Sequence, residues 1–304
     1  MKIVLAGGTG NIGRLLVDSF LSQGFEVAIL TRSFRNNAEL EYIRWDGTHI
    51  GDWTRVLKGA DVLINMCGET ITRRFTSKNK KVLEDSRLTP TAVLGEALEQ
   101  LKDGPRLWIN FSGISIYGGA KEIQDENGMA YGNDFLAQLT KQWEACFLNA
   151  NTPRTKKVIL RISAVLSFQF GMVKELYPLA RLGLAGTVGN GKQLVSWIHQ
   201  DDLVGLINWI ISLESPRSIY HACSPHPVTN KEYMAALRQA VGVPLGIPLP
   251  KIFARIGAFI RGIDPSLLLQ TVPVTTQYTV DDGFVFQFPY IAPSFNQLHK
   301  SRNF

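Results

Sequence analysis

Residues 2–20, KIVLAGGTGNIGRLLVDSF, constrain this chain more than any other stretch. A short apolar run leads straight into Gly7, Gly10 and Gly13, three residues apart. After them Ile12, Leu15, Leu16, Phe20 and Leu21 recur at helical spacing until Gly24. The pattern is a buried strand, a tight turn and an amphipathic helix. Each glycine has its own task in such a unit. Gly7 permits the turn, Gly10 lets a pyrophosphate come close to the backbone, and Gly13 lets helix lie on strand. The helix N-terminus offers unpaired N–H groups and partial positive charge to the phosphates. With Thr9, Asn11 and Ile12 filling the turn, this element is expected to hold a dinucleotide. The plainer alternative is a glycine turn that serves packing alone.

The alternation continues. FEVAILTR (25–32), DVLINMCG (61–68), RLWINFSG (106–113) and KVILRISAVLS (157–167) read as strands. Helical patterns run over about 77–101 and over 134–150, where Phe135, Leu136, Leu139, Trp143 and Cys146 share a face. Strands alternating with helices predict an α/β fold, a doubly wound parallel sheet (Rossmann-like). Past residue 167 the pattern loosens, and the Pro-rich tail from about 226 predicts a small C-terminal α/β lobe. The expected division is a dinucleotide-binding domain of residues 1–170 and 195–225, with 171–194 and 226–304 as a substrate-side lobe.

The end of the second strand selects the cofactor. An acidic residue there binds the ribose 2′-hydroxyl of NAD. This chain has Arg32, Ser33 and Arg35 instead. Arginine suits a 2′-phosphate through charge-assisted, bidentate bonds, so NADP is the expected cofactor. The alternative for Arg32 is an ordinary surface residue at a strand end.

Composition adds limits. The net charge of +6 would suit an anionic ligand. The one basic cluster, Arg73, Arg74, Lys78, Lys80 and Lys81, reads as a solvated helix face, so no nucleic-acid partner is expected. Cys67, Cys146 and Cys223 lie far apart without metal-ligand spacing, which fits a reducing compartment and no metal. Glycines interrupt the N-terminal apolar run too early for a signal peptide, and no apolar run is long enough to cross a bilayer. A cytoplasmic protein with a small-molecule substrate is expected, without a membrane partner; a homodimer is left open. The basic amphipathic segment KIFARIGAFIRGI is expected to pack on the other lobe rather than on a membrane.

Several motifs in fixed order carry a resemblance: GGTGNIG, INMCGE (64–69), DSR (85–87), FSGISIYG (111–118), DFL and WE (134–144), LRISAVL (160–166), RLGLAGTVGNGKQ (181–193), SWIHQDDL (196–203) and NKEY (230–233). Together they resemble the atypical extended short-chain dehydrogenase/reductases of sugar-nucleotide epimerase-like type, over essentially the whole chain. The resemblance implies NADP binding by the glycine turn, the end of the second strand, Met66, Cys67, Gly68 and Arg87, with Val165 near the nicotinamide. It implies an oxidoreductase or epimerase acting on a nucleotide sugar or another small polar molecule. The alternative is an NADP-binding redox sensor or interaction protein without catalysis. Arg87 could instead pair with Glu84, and Cys67 could be a small packed residue. One departure is visible: where relatives carry a glycine-rich turn after the ISAVL run, this chain has SFQFGM (167–172).

Enzymes of this superfamily use a Tyr and a Lys four residues apart on one helix face. The helix at 134–150 has neither register: Leu136 precedes Thr140, and Ala137 precedes Lys141. Tyr117 and Lys121 have the spacing, but Gly118 and Gly119 stand between them, so they are not expected to form the pair. Ser112, at a strand's C-terminal end, is the expected substrate-positioning hydroxyl; the alternative is a hydroxyl bonded to nearby backbone. Tyr131 is the expected replacement acid, or else a loop anchor. His199 is expected to be packed, and Asp201 or Asp202 to cap the following helix.

Overall fold

The computed structural model describes residues 1–33 and 40–302. The predicted opening unit is present as strand β1 (Lys2–Ala6) and helix α1 (Asn11–Ser22). Then follow β2 (Glu26–Thr31), β3 (Glu41–Arg44), β4 (Val62–Asn65), α2 (Ser77–Gln100), β5 (Leu107–Gly113), α3 (Phe135–Asn149) and β6 (Lys156–Ile162). Beyond them come β7 (Ala164–Leu166), α4 (Gly171–Arg181), β8 (Leu194–Val195), β9 (Trp197–His199), α5 (Gln200–Ser212) and β10 (Ile219–Ala222). The remainder is β11 (Val228–Thr229), α6 (Asn230–Ala240), α7 (Lys251–Ile260), α8 (Ser266–Leu269), α9 (Tyr278–Asp281) and α10 (Ile291–Arg302).

The seven-stranded sheet runs β10-β6-β5-β4-β1-β2-β3, and every pairing is parallel. The chain reverses direction across the sheet between β1 and β4, the switch point where such sheets bind ligands at their C-terminal ends. Most positions of the inner strands are apolar because both faces of the sheet are covered. Ile3, Leu5, Val27, Ile29, Val62, Ile64, Leu107, Ile109, Val158 and Leu160 pack with α1 and α5 on one face. Val4, Ala6, Ala28, Leu30, Leu63, Trp108 and Ile159 alternate with them and pack with α2 on the other. That period of two is the strand pleat expressed in burial.

A third apolar cluster joins α4, α6 and α10 through Val173, Tyr233, Leu237, Phe295 and Leu298. Two small sheets accompany it: β7 lies parallel to β9, and β8 antiparallel to β11. The run at 157–167 is therefore two strands, not one. It breaks at Ser163, whose N–H and hydroxyl both donate to the Ala222 carbonyl, at 3.1 and 2.8 Å.

Candidate functional site

The turn after β1 has the geometry its glycines predict. Gly7 sits at φ +79°, and a Cβ there would lie 3.1 Å from the backbone N of Cys67. The loops after β1 and β4 thus meet at the switch point. A Cβ on Gly13 would come within 2.2 Å of the Gly8 carbonyl oxygen, so only glycine lets α1 approach this closely. A Cβ on Gly10 would meet nothing nearer than Gly7 O at 3.8 Å. That open ground lies at the head of α1, which has Gly10 as its N-cap and no side-chain cap. Unfilled N–H groups facing open space suit a phosphate. Thr9 and Ile12 are half-buried, and Asn11 is exposed on the rim.

Arg32 follows β2 and is exposed; its guanidinium lies 3.3 Å from Glu69, which also holds Arg73 at 3.2 Å. Ser33 is exposed, its N–H turned back to the Thr31 hydroxyl. Arg35 lies outside the described residues. Met66, Cys67 and Gly68 continue from β4 along the same edge, with the Cys67 N–H donating to Asn65 Oδ1 at 3.1 Å. Burial pushes the Cys67 thiol up to about 12, so it is a neutral packed thiol at physiological pH. Arg87, on α2, reaches the Glu69 and Leu83 carbonyls at 3.0 and 3.2 Å. These carbonyls and the Ser86 hydroxyl, at 3.4 Å, hold the guanidinium, rather than Glu84. Its guanidinium lies within 3.4 Å of where a Gly68 side chain would start. Burial pulls it down to about 10, with the Glu69 charge opposing, so it remains a cation. Val165 is half-buried on β7.

On the β5–β6–β10 side of the switch point a polar network is built across three strands. Ser112, Arg161 and His221 stand in register on β5, β6 and β10. Glu144 of α3 takes both Arg161 Nε and Nη2 at 2.8 Å, and the Ser112 hydroxyl at 2.5 Å. Arg161 Nη1 also donates to the Tyr117 hydroxyl. Tyr117 in turn lies 3.2 Å from the Asp125 carbonyl and 3.3 Å from His221 Nε2. His221 Nδ1 faces the Thr275 carbonyl at 2.8 Å, which fixes the proton on Nδ1 and leaves Nε2 as acceptor. Burial raises the Tyr117 hydroxyl well above its usual value, against the pull of Arg161, so it keeps its proton. Burial disfavours the Arg161 charge, but Glu144 more than offsets this and holds it firmly cationic.

Several expectations meet this geometry. Tyr117 ends a short helical turn, Ile114–Tyr117, and is fully buried; Gly119 follows at φ +81°, and Lys121 is exposed. The two share no helix face. On α3, Leu136, Ala137 and Thr140 are buried, and neither i, i+4 register, Leu136 with Thr140 or Ala137 with Lys141, carries a Tyr–Lys pair. Thr140 bonds back to the Leu136 carbonyl at 2.8 Å and lies 3.0 Å from Ser115 Oγ. The Ser112 hydroxyl is bonded to the Glu144 side chain rather than to neighbouring backbone. Ser115, which sequence reasoning passed over, is the more accessible serine. Tyr131 is half-buried against Tyr117, and its hydroxyl touches Met129 Sδ at 3.5 Å. Lys141 donates to the Gly132 carbonyl at 2.8 Å and lies 5.7 Å from the Tyr131 ring.

One capping expectation is corrected. His199, not Asp201 or Asp202, caps α5: its Nδ1 accepts the Asp201 N–H at 3.2 Å. Its Nε2–H then donates to Gln297 at 3.0 Å, so the ring is neutral and packed on Phe288. Asp202 instead accepts the Gln287 and Phe288 N–H groups at 2.7 and 3.0 Å, pinning the C-terminal segment to the first turn of α5.

Known proteins place this geometry in context. Residues 3–222 match the NAD dependent epimerase/dehydratase family. The epimerase family protein Mb2239 of Mycobacterium bovis is 33% identical over 269 residues, 88% of this chain and 87% of its own. The human epimerase family protein SDR39U1 is 28% identical over 304 residues, covering 98% and 99%. A crystal structure of that human protein with NADPH superimposes at a TM-score of 0.87, with 25% identity over 99% of each chain. MoeE5 in complex with UDP-glucuronic acid and NAD has the same fold, at a TM-score of 0.76 and 18% identity over 100% and 99%.

Proposed function

The chain belongs to the NAD dependent epimerase/dehydratase family, and from that premise we propose that it binds NADP(H) and acts as an oxidoreductase or epimerase on a nucleotide sugar or other small polar molecule. The observation that carries this reading is the open, uncapped head of α1 at Gly10, with a cation rather than an acid after β2. In this reading the Asn11 and Ile12 N–H groups and Thr9 hold the pyrophosphate. Arg32 exchanges Glu69 for the 2′-phosphate, with Ser33 beside it. Met66, Cys67, Gly68 and Arg87 line the ribose side, and Val165 the nicotinamide side. The human relative's structure with NADPH supports that choice of cofactor.

The bound nucleotide would supply or accept a hydride. Of this chain's groups, Ser115 beside Thr140 is best placed to orient a substrate oxygen. Tyr131, at the mouth, takes the part of proton donor or acceptor. Ser112 acts one step back, by fixing Glu144 and so Arg161 and Tyr117. The lobe formed by 171–194 and 226–304 covers the substrate side.

A second reading, a nucleotide-binding sensor without turnover, is favoured by the absence of a Tyr–Lys pair in either register of α3. NADPH oxidation against a panel of carbonyl compounds and nucleotide sugars separates the two. Turnover that falls at least about tenfold in Ser115→Ala and Tyr131→Phe supports the enzyme. Tight NADPH binding with no turnover on any substrate class sinks it and leaves the sensor.

A further inference from the structure

Helix α7 (Lys251–Ile260) is built inside out. Its buried residues are two alanines, Ala254 and Ala258. Its large side chains, Ile252, Phe253, Ile256, Phe259 and Ile260, are between 50% and 76% exposed. With about 3.6 residues per turn these five fall on one stripe, opposite the alanines. The loop before the helix widens the stripe with Leu245 and Ile247, also exposed. The Ile247 N–H donates to the Gly183 carbonyl at 2.8 Å, which brings the exposed Leu182 and Leu184 alongside. Single exposed apolar residues need no explanation, but a contiguous group of this size marks a surface that something covers.

The rim indicates what. Residues 243–263 contain Lys251, Arg255 and Arg261 and no Asp or Glu. Arg74 lies over the Phe259 ring at 3.8 Å, and Arg181 ends α4 beside Leu182. Arg261 is matched by Glu175 at 2.9 Å. An apolar stripe edged by cations complements an anionic bilayer surface, where aliphatic and aromatic side chains enter the acyl boundary and Lys and Arg meet phosphates. We propose that the α7 face, with Leu245 and Ile247, docks this protein onto the surface of an anionic lipid bilayer. The helix lies in the plane of the interface. With 10 residues it cannot span, and no helix among the described residues is long and apolar enough to do so. A second copy is the weaker occupant, because a self-complementary contact would set Lys251 and Arg255 of each chain against the same cations of the other.

Flotation of the full chain with lipid vesicles tests this. Wild-type protein should float with phosphatidylglycerol–phosphatidylcholine vesicles, stay behind with phosphatidylcholine alone, and be released by high salt. Phe253→Gln with Ile256→Gln should abolish flotation, and Arg255→Glu should weaken it about 20-fold. Both variants alter exposed side chains, so far-UV circular dichroism and the thermal midpoint should match wild type. The proposal is overturned if the wild-type chain floats with neither vesicle, or if flotation survives the double substitution. It is equally overturned if sedimentation finds a dimer that the double substitution dissociates, for then a second copy covers the face.

Discussion

Glu144 illustrates how much one side chain organises. It receives Ser112 and two nitrogens of Arg161, and all three residues are buried. Removing one member of a buried, hydrogen-bonded ion pair strands the other charge, which costs about 3–5 kcal/mol. Glu144→Ala should therefore lower unfolding free energy by about that amount in denaturant titration. Ser112→Ala deletes one hydroxyl donor and should cost only about 1–2 kcal/mol, with NADPH affinity unchanged. If Ser112→Ala leaves stability untouched and abolishes turnover, the serine meets substrate directly and the bracing role is wrong. Little of this network was legible beforehand. Arg161 sits inside the run VILRIS and reads as one strand residue among others, and its partners stand 17 and 44 positions away. Local periodicity carries no information about such distant pairings.

At the scale of elements, the first βα unit was the most legible part, because its glycines have steric reasons that operate within a dozen residues. Gly13 is the clearest case. An alanine there would drive its Cβ to 2.2 Å from the Gly8 carbonyl oxygen, so α1 must shift off β1. Gly13→Ala should cost about 1–3 kcal/mol and weaken NADPH binding, measured by thermal denaturation with and without ligand. An unchanged thermal midpoint and affinity would show that the turn tolerates displacement. Edge and broken strands were harder. EYIR at 41–44 pairs only with β2 and has no fully buried residue, so its pattern is mixed. The run at 157–167 looks continuous, yet β7 leaves the main sheet to pair with β9. That change of partner is decided by residues 33 positions downstream, Trp197 opposite Ala164.

For the whole molecule, the C-terminal segment is tied back to the sheet by buried groups that respond to acid. His221 bonds to the Thr275 carbonyl and His199 to Gln297. Burial lowers both below the ordinary 6.5, with Glu126 and Asp201 pulling the other way. A folded-state value below the unfolded one means that the unfolded chain binds protons first. The stability these rings contribute is complete above about 6.5 and is lost as pH falls below it. The thermal midpoint should fall between about pH 7.5 and about pH 5.5, a window in which ordinary carboxylates stay ionised. A midpoint that is flat or rises would contradict neutral rings at these two positions. The parallel sheet followed from alternating strand and helix patterns, and the small C-terminal lobe from the loosening of that pattern and the Pro-rich tail. The outward apolar face of α7 did not, because periodicity reports that a helix has an apolar side without reporting where that side points. The account rests centrally on a 2′-phosphorylated nucleotide bound over Gly10 and read by Arg32. Calorimetric titration of the full chain with NADPH and with NADH, in wild type and Arg32→Ala, tests this most directly. NADPH should bind wild type at least about tenfold tighter than NADH, and Arg32→Ala should erase that difference. Equal affinities in wild type, or equal losses for both nucleotides in the variant, would contradict it.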